Sequence, residues 1–415
     1  MVSFKYNGIS ALTLSEKITT PSFCMTKDGT TLYVPLFNGD AGDVIPFDGY
    51  EYTLGTFKID NLRMAISRII GIKVGKVCCS MFTSWYIDDN NDLYGCGSSL
   101  YGEQGIDDIS GVLTFTKRAS NVKDVACSEY TTWYIDNNNN LYGCGNGSYG
   151  QQGSGGTSNV KTFTKRASNV KEVVCSAYTT RDEYTTWYID NNNNLYGCGT
   201  GSSGQQGSGG TSDVLTFTKR ASNVKEVVCS ADTTWYITDS GDLYGCGNGS
   251  YGQQGSGGTS DVLTFTKRAS NVKEVSCSSR TIWYIDNNND LYGCGNNRQG
   301  QQGSDDTSDV LTFTKRASNV KEVVCSEYTS WYIDNNNNLY GCGYNGSGQQ
   351  GSGDKTDVLT FTKRASNVKE VSCPIYSTWY INNNNNLYGC GNGTNGQQGT
   401  GTSHGTYVLT FTVKG

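Results

Sequence analysis

Seven times the chain reads Leu-Tyr-Gly-Cys-Gly, beginning at Leu93, Leu141, Leu195, Leu243, Leu291, Leu339 and Leu387. The step is 48 residues, except for one of 54 between Leu141 and Leu195. A period of this size marks a stack or ring of like units, none of which can bury a hydrophobic face alone. The unit that starts at Val224 reads VKEVVCSADTTWYITDSGDLYGCGNGSYGQQGSGGTSDVLTFTKRASN. Its apolar residues recur with period two, the strand period. KEVVCS predicts a first strand, TTWYI a second, DLYGCG a third joined to it by a short loop, and VLTFT a fourth. Four short strands in each of seven units predict an all-β chain: a seven-bladed β-propeller of four-stranded blades over 74–415. A solenoid is the alternative, but it needs polar capping repeats, and the end units here resemble the middle ones. A ring also suits a length of 415 residues, too long for one ordinary core.

Residues 1–73 lack the Asn-rich pattern and hold three of the four prolines. They predict a small β-rich N-terminal docking domain. FCMTKDGTTLYVPLF (23–37) has the form of a hairpin turning at Asp28–Gly29. DNLRMAISRIIG (60–71) has the form of a short amphipathic helix, capped by Asp60 or Asn61 and stopped at Gly71. A degraded repeat is the alternative reading of this segment.

Several function classes are disfavoured by composition. The single histidine, His404, argues against His-based acid–base catalysis and His-ligated metal sites. Net charge is −6, pI is about 5.0 and no basic stripe exists, which speaks against nucleic acid as a partner. No apolar run approaches the length of a membrane-spanning helix, so no membrane insertion is expected. MVSFKYNGIS lacks the pattern of a signal peptide, so the chain is expected in the cytoplasm or on an assembled particle. With no nucleophile–base pair and no metal cluster, no enzyme activity and no cofactor are expected.

The unit resembles the repeat of the regulator-of-chromosome-condensation family. That repeat carries an apolar strand, a His-Thr pair, a hairpin, an aromatic-rich strand and a GQLG-like turn. Here the matches are Thr-Thr, LYGCG and GQQG, the last at 150–153, 204–207, 252–255, 300–303, 348–351 and 396–399, with GEQG at 102–105. The resemblance covers 74–415 and implies a seven-bladed propeller. The founding member exchanges nucleotide on a small GTPase and sits on chromatin. This chain departs from it with Thr or Ser in place of the family's His, an acidic balance, no basic tail and near-identical blades.

All seven tryptophans occupy one strand position: Trp85, Trp133, Trp187, Trp235, Trp283, Trp331 and Trp379. If Ile135 pairs with Leu141, then Tyr134 meets Tyr142 and Trp133 covers Gly143. One blade face then carries Trp, Ile and Leu, and the other Tyr, Tyr and Cys. The tryptophans are read as inter-blade packing rather than a ligand platform. The DNNNN loop aligns with TDSGD (238–242), placing Gly241 in register with Asn139, Asn193, Asn289, Asn337 and Asn385. These asparagines are expected to adopt left-handed turn geometry. A calcium loop is the rival, but the Gly turn and distal Glu of such loops are missing.

Fourteen of the sixteen cysteines recur in register, one on each first strand (Cys79, Cys127, Cys175, Cys229, Cys277, Cys325, Cys373) and one on each third. The second strand separates them by about 9.6 Å, beyond disulfide reach, so they are expected to be buried free thiols. The sequons at Asn146, Asn248, Asn345 and Asn392 are read as loop chemistry.

Units differ in two places: the loop from first to second strand, and the loop after the third. Because successive strands alternate in direction, both emerge on one face of the ring. The extra six residues, expected at Arg181–Thr186, fall in the first of these loops, where Tyr-Thr-Thr is written twice (178–180 and 184–186). The expected ligand-binding face comprises Phe82, Tyr101, Tyr130, Tyr149, Tyr178, Tyr184, Tyr251, Arg280, Arg298, Tyr328, Tyr344 and Tyr376. Rim aromatics of this kind suit a protein or a surface glycan. The main expectation is a non-enzymatic recognition propeller on a larger assembly, such as a phage tail or surface particle, anchored through 1–73. The alternative is a cytosolic interaction scaffold or GTPase exchange factor of the chromosome-condensation-regulator type.

Overall fold

The computed structural model describes residues 76–414 except 81, 177–183, 394–397 and 399–406, and describes backbone strands within 1–75. By internal contacts the chain divides into two units: 75–398 with 403–414, and 1–74 with 399–402 and 415.

The larger unit is a propeller of seven four-stranded antiparallel sheets, each taken from one contiguous stretch of chain. Blade 2 runs Val122–Cys127, Thr131–Asp136, Leu141–Gly145 and Val160–Ala167, with neighbours in the sheet in sequence order. Blade 1 (Lys76–Cys79 to Val112–Ala119) and blade 7 (Val368–Ser372 to Tyr407–Val413) are built alike. The C-terminal strand therefore stays in blade 7, paired with Leu387–Asn392. The hairpin register is the expected one: Ile135 opposite Leu141, Tyr134 opposite Tyr142, Trp133 opposite Gly143. The fourth strand is longer than VLTFT and runs through Lys-Arg-Ala in blades 1 to 6.

Adjacent blades join by unlike faces. Trp133, Ile135 and Leu141 of blade 2 meet Val170, Val173 and Tyr188 of blade 3, with Cys175, Tyr196 and Phe217 beside them. Phe217 lies on Val214–Ala221, the fourth strand of blade 3, and reaches the indole of blade 2 from there. Each indole thus takes a phenylalanine of the following blade edge-on, with centroids 5.5 to 6.0 Å apart at six joints. Burying an indole of roughly 200 Å² contributes at most about 5 kcal/mol. The glycine opposite is obligatory: a Cβ on Gly143 would lie 2.3 Å from the Trp133 ring.

The seventh joint differs. Trp379 is half-buried, and Lys414 Nζ lies 5.9 Å from its ring. On the matching face of blade 1, Leu113 is 98% exposed, and Val77, Cys79 and Phe115 are exposed as well. The expectation of uniformly buried thiols is therefore corrected at Cys79, which lies on this uncovered face.

Asparagine turns form as expected. Asn139, Asn193, Asn289, Asn337 and Asn385 have φ between 58° and 62°, and Gly241 has 81°. Asp136 Oδ1 accepts from the amides of Asn138 (2.9 Å) and Asn140 (2.7 Å), so its carboxylate holds the turn. In the N-terminal unit, Ser22–Met25 and Leu32–Tyr33 pair antiparallel; the turn expected at Asp28–Gly29 lies outside the described residues. The helix expected at 60–71 lies outside the described residues.

Candidate functional site

The rim loops are built on buried amides. In blade 2, Asn146 N–H donates to Tyr130 O (2.9 Å), tying the loop after the third strand to the loop before the second. Asn146 Oδ1 accepts from Ser148 N (2.8 Å) and Gln151 Nε2 (3.0 Å), so this sequon asparagine is buried loop chemistry. Gln152 Nε2 donates to Cys144 O at 2.7 Å. GQQG is therefore a loop lock, and its glycines admit the next blade: the Phe217 ring sits against Gly153 and Leu215 against Gly150. From blade to blade, Gln205 Nε2 reaches Ala231 O, Gln301 Nε2 reaches Glu327 O and Gln349 Nε2 reaches Ile375 O, at 3.4 to 3.5 Å. The two variable loops thus share one face, held by invariant residues below.

Third-strand cysteines do more than fill space. Cys144, Cys198 and Cys246 are buried and each donates S–H to a carbonyl of the preceding blade, Glu103, Gln151 and Gln205, at 3.4 Å. Burial pushes their thiols well up. No described cysteine is in a disulfide.

Five of the expected site residues form one aromatic arc over blades 1 to 3. Phe82 stacks on Tyr130 (5.8 Å), Tyr101 meets Tyr130 edge-on (4.9 Å), and Tyr184 touches Tyr130 (5.7 Å) and Tyr149 (6.1 Å). Tyr184 is 3% exposed and supports the arc from beneath rather than offering itself to a ligand. It also corrects the place of the insertion. Thr185 and Thr186 pair with Gly199 and Cys198 as Thr131 and Thr132 pair with Gly145 and Cys144. Tyr184 therefore takes the register of Tyr130, and the extra residues precede it. Tyr178 and Arg181 lie outside the described residues.

Blades 4 to 6 carry a charged notch on the same face. Arg280 and Arg298 each stand 5.2 Å from the centroid of Tyr251. Arg280 pairs with Glu327 at 3.0 Å, and Arg298 Nε lies 3.9 Å from Asp309. Asp232, Asn248, Tyr251, Arg280 and Glu327 line this shallow notch. Next to it Tyr328 meets Tyr344 at 6.1 Å, and burial raises the Tyr328 phenol. Tyr376 of blade 7 is 49% exposed and Phe82 of blade 1 is 40% exposed.

A second electrostatic feature was not singled out from the sequence. One register of the first strands reads Lys76, Asp124, Glu172, Glu226, Glu274, Glu322 and Glu370. Lys76 pairs with Asp124. Glu226 is pushed up to about 7 by burial and by the carboxylates of Glu274 and Glu172, and Glu322 to about 6 by burial and by Glu274 and Glu370. Among the described residues no three His, Cys, Asp or Glu side chains converge as metal ligands, and no helix is long and apolar enough to cross a membrane.

Residues 122–151 and 224–253, the first three strands of blades 2 and 4 with the start of the following loop, match the family described as "Regulator of chromosome condensation (RCC1) repeat". No curated protein matches the chain. Among solved structures, human WBSCR16 is 16% identical with a TM-score of 0.60, over 85% of this chain and 96% of that one. Yeast RCC1 (Prp20), solved bound to Kap60, is 19% identical with a TM-score of 0.61, over 78% and 84%. Prp20p from Saccharomyces cerevisiae, described with its binding to Gsp1p and histones, is 16% identical with a TM-score of 0.60, over 86% and 90%. Likeness at these identities is a likeness of fold. Two blades of this seven-bladed β-propeller thus match the RCC1 repeat, and the other five carry near copies of the same motifs.

Proposed function

We propose that this chain is a non-enzymatic protein-interaction propeller that docks a protein partner on the face bearing the aromatic arc and the charged notch. The arc carries the reading: Phe82 and Tyr101 both touch Tyr130, and buried Tyr184 joins Tyr130 to Tyr149, on a base of buried amides. Such a surface, with arginines beside it, has the composition of protein-binding hot spots. Prp20p, with the same fold, is described with its binding to Gsp1p and histones, which supports a protein partner. Nothing in the comparisons supports a phage or surface-particle setting or a glycan ligand. The N-terminal unit is proposed to localise the propeller.

The test is equilibrium binding of the full chain to small GTPases and to core histones, with nucleotide release from the GTPases followed in parallel. A partner should bind, and replacing Phe82 and Tyr376 together by Ala should weaken it at least about tenfold, the scale of one hot-spot residue, with an unchanged melting temperature. Unaltered affinity in that variant would remove the face from the function. Affinity lost together with folding would assign these rings to the core.

A further inference from the structure

One register of the first strands carries a cysteine in blade 1 only. It reads Cys78, Ala126, Val174, Val228, Ser276, Val324 and Ser372. In the fold, the side chain at this position reaches the first-strand cysteine of the following blade. Ala126 and Cys175 pack on one cluster, as do Val174 with Cys229, Val228 with Cys277, and Val324 with Cys373. At blades 5 and 6, Ser276 Oγ lies 3.5 Å from Cys325 Sγ. Among the described residues, two thiols meet only between blades 1 and 2. Cys78 Sγ lies 2.6 Å from Cys127 Sγ, and the Cys127 amide donates to Cys78 Sγ at 3.1 Å.

We infer that Cys78 and Cys127 form an oxidisable dithiol site whose product is a disulfide joining blade 1 to blade 2. A disulfide has sulfurs about 2.05 Å apart, so the pair needs only a small further approach. Both residues are partly exposed, so a small reagent has access. The two thiols are unlike. The hydrogen bond shared with the Cys127 thiol, the Cys127 amide's donation and nearby Lys76 push the Cys78 thiol below its ordinary value, and the contact with Cys78 and burial push Cys127 above it. Cys78 is thus the attacking sulfur.

The oxidant is a low-molecular-weight disulfide, RSSR. The Cys78 thiolate attacks one of its sulfurs, the RS–SR bond breaks and RS⁻ leaves. Cys127 then loses its proton to solvent, attacks Cys78 Sγ in the mixed disulfide and expels the second RS⁻. Two protein thiols are oxidised to cystine, one external disulfide is reduced to two thiols, and the protons lost by the cysteines end on those products. The bond closes a loop between positions 49 residues apart. It staples the blade whose other face carries exposed Val77, Cys79, Leu113 and Phe115.

The experiment treats the full chain with oxidised glutathione, alkylates it under denaturing conditions without reductant, and maps the peptides. The expected product is a Cys78–Cys127 linked peptide, with a raised melting midpoint that falls back when reductant is added. Cys78→Ser should lose both effects and still fold, because Ser276 and Ser372 occupy this register natively. Ser276→Cys should create a second linkage, to Cys325. Alkylation of both Cys78 and Cys127 after oxidant, glutathione retained on Cys78 without a link, or a link to another cysteine overturns the assignment. Failure of the Ser276→Cys linkage overturns the claim that this register builds the site.

Discussion

At the scale of single residues, the first-strand carboxylates show how repetition concentrates charge. A residue harmless in one unit becomes a row of like charges when units are arrayed side by side. Glu226 faces Glu274 and Glu172, with Lys225 as the nearby opposing charge, and is pushed up to about 7. A carboxyl raised above its unfolded value of about 4.5 lets the folded state hold a proton that the unfolded chain releases. Its contribution to stability is complete below pH 4.5 and is lost as pH rises through about 7. Glu226→Gln keeps the shape and removes the charge. Urea unfolding at pH 4.5 and pH 8 should show the variant matching the parent at the lower pH and exceeding it at the higher by on the order of 1–2 kcal/mol. An equal difference at both pH values would show that the row does not titrate in this range.

At the scale of the element, the hairpin turn rests on one left-handed residue and one aspartate. Asn139 has φ of 60°, and Gly241 fills the same place in blade 4. A β-branched side chain in that geometry costs about 1–2 kcal/mol. Asn139→Val should lower the unfolding free energy by about that amount, while Asn139→Gly should stay within about 0.5 kcal/mol of the parent. Denaturant midpoints at constant slope test the pair; equal losses would place the cost in side-chain contacts rather than backbone geometry. The same economy explains GQQG. Its glutamines were legible as a family mark, but their work as amide locks was not. A hydrogen bond such as Gln152 to Cys144 O depends on where a loop folds back, and strand periodicity carries no such information.

At the scale of the molecule, joints rather than blades are the units of stability. Phe217 packs on Trp133 of the neighbouring sheet at 5.7 Å, whereas Phe115, at the same strand position in blade 1, is 40% exposed. Phe217→Ala should cost about 2–4 kcal/mol, at or below the usual range for a buried Phe because the ring is only partly buried. Phe115→Ala should cost less than half as much. Calorimetry on both variants tests this, and equal losses would mean that the seventh joint is made like the other six.

The sequence by itself determined the blade count, the four strands, the pairing of Trp133 with Gly143 and the left-handed asparagines. Each depends on a local period or on the backbone preference of one residue type, and seven copies made the signal unambiguous. It also placed both variable loops on one face, because strand alternation is a matter of counting. Only the tertiary structure decided which rings on that face touch, that Tyr184 rather than Tyr178 holds the Tyr130 register, that the last strand stays in blade 7, and that Cys78 meets Cys127. These depend on the offset between neighbouring blades. That offset is set by how one sheet's indole seats against the next sheet's phenylalanine, a distance between residues far apart in the chain that no pattern within a repeat encodes.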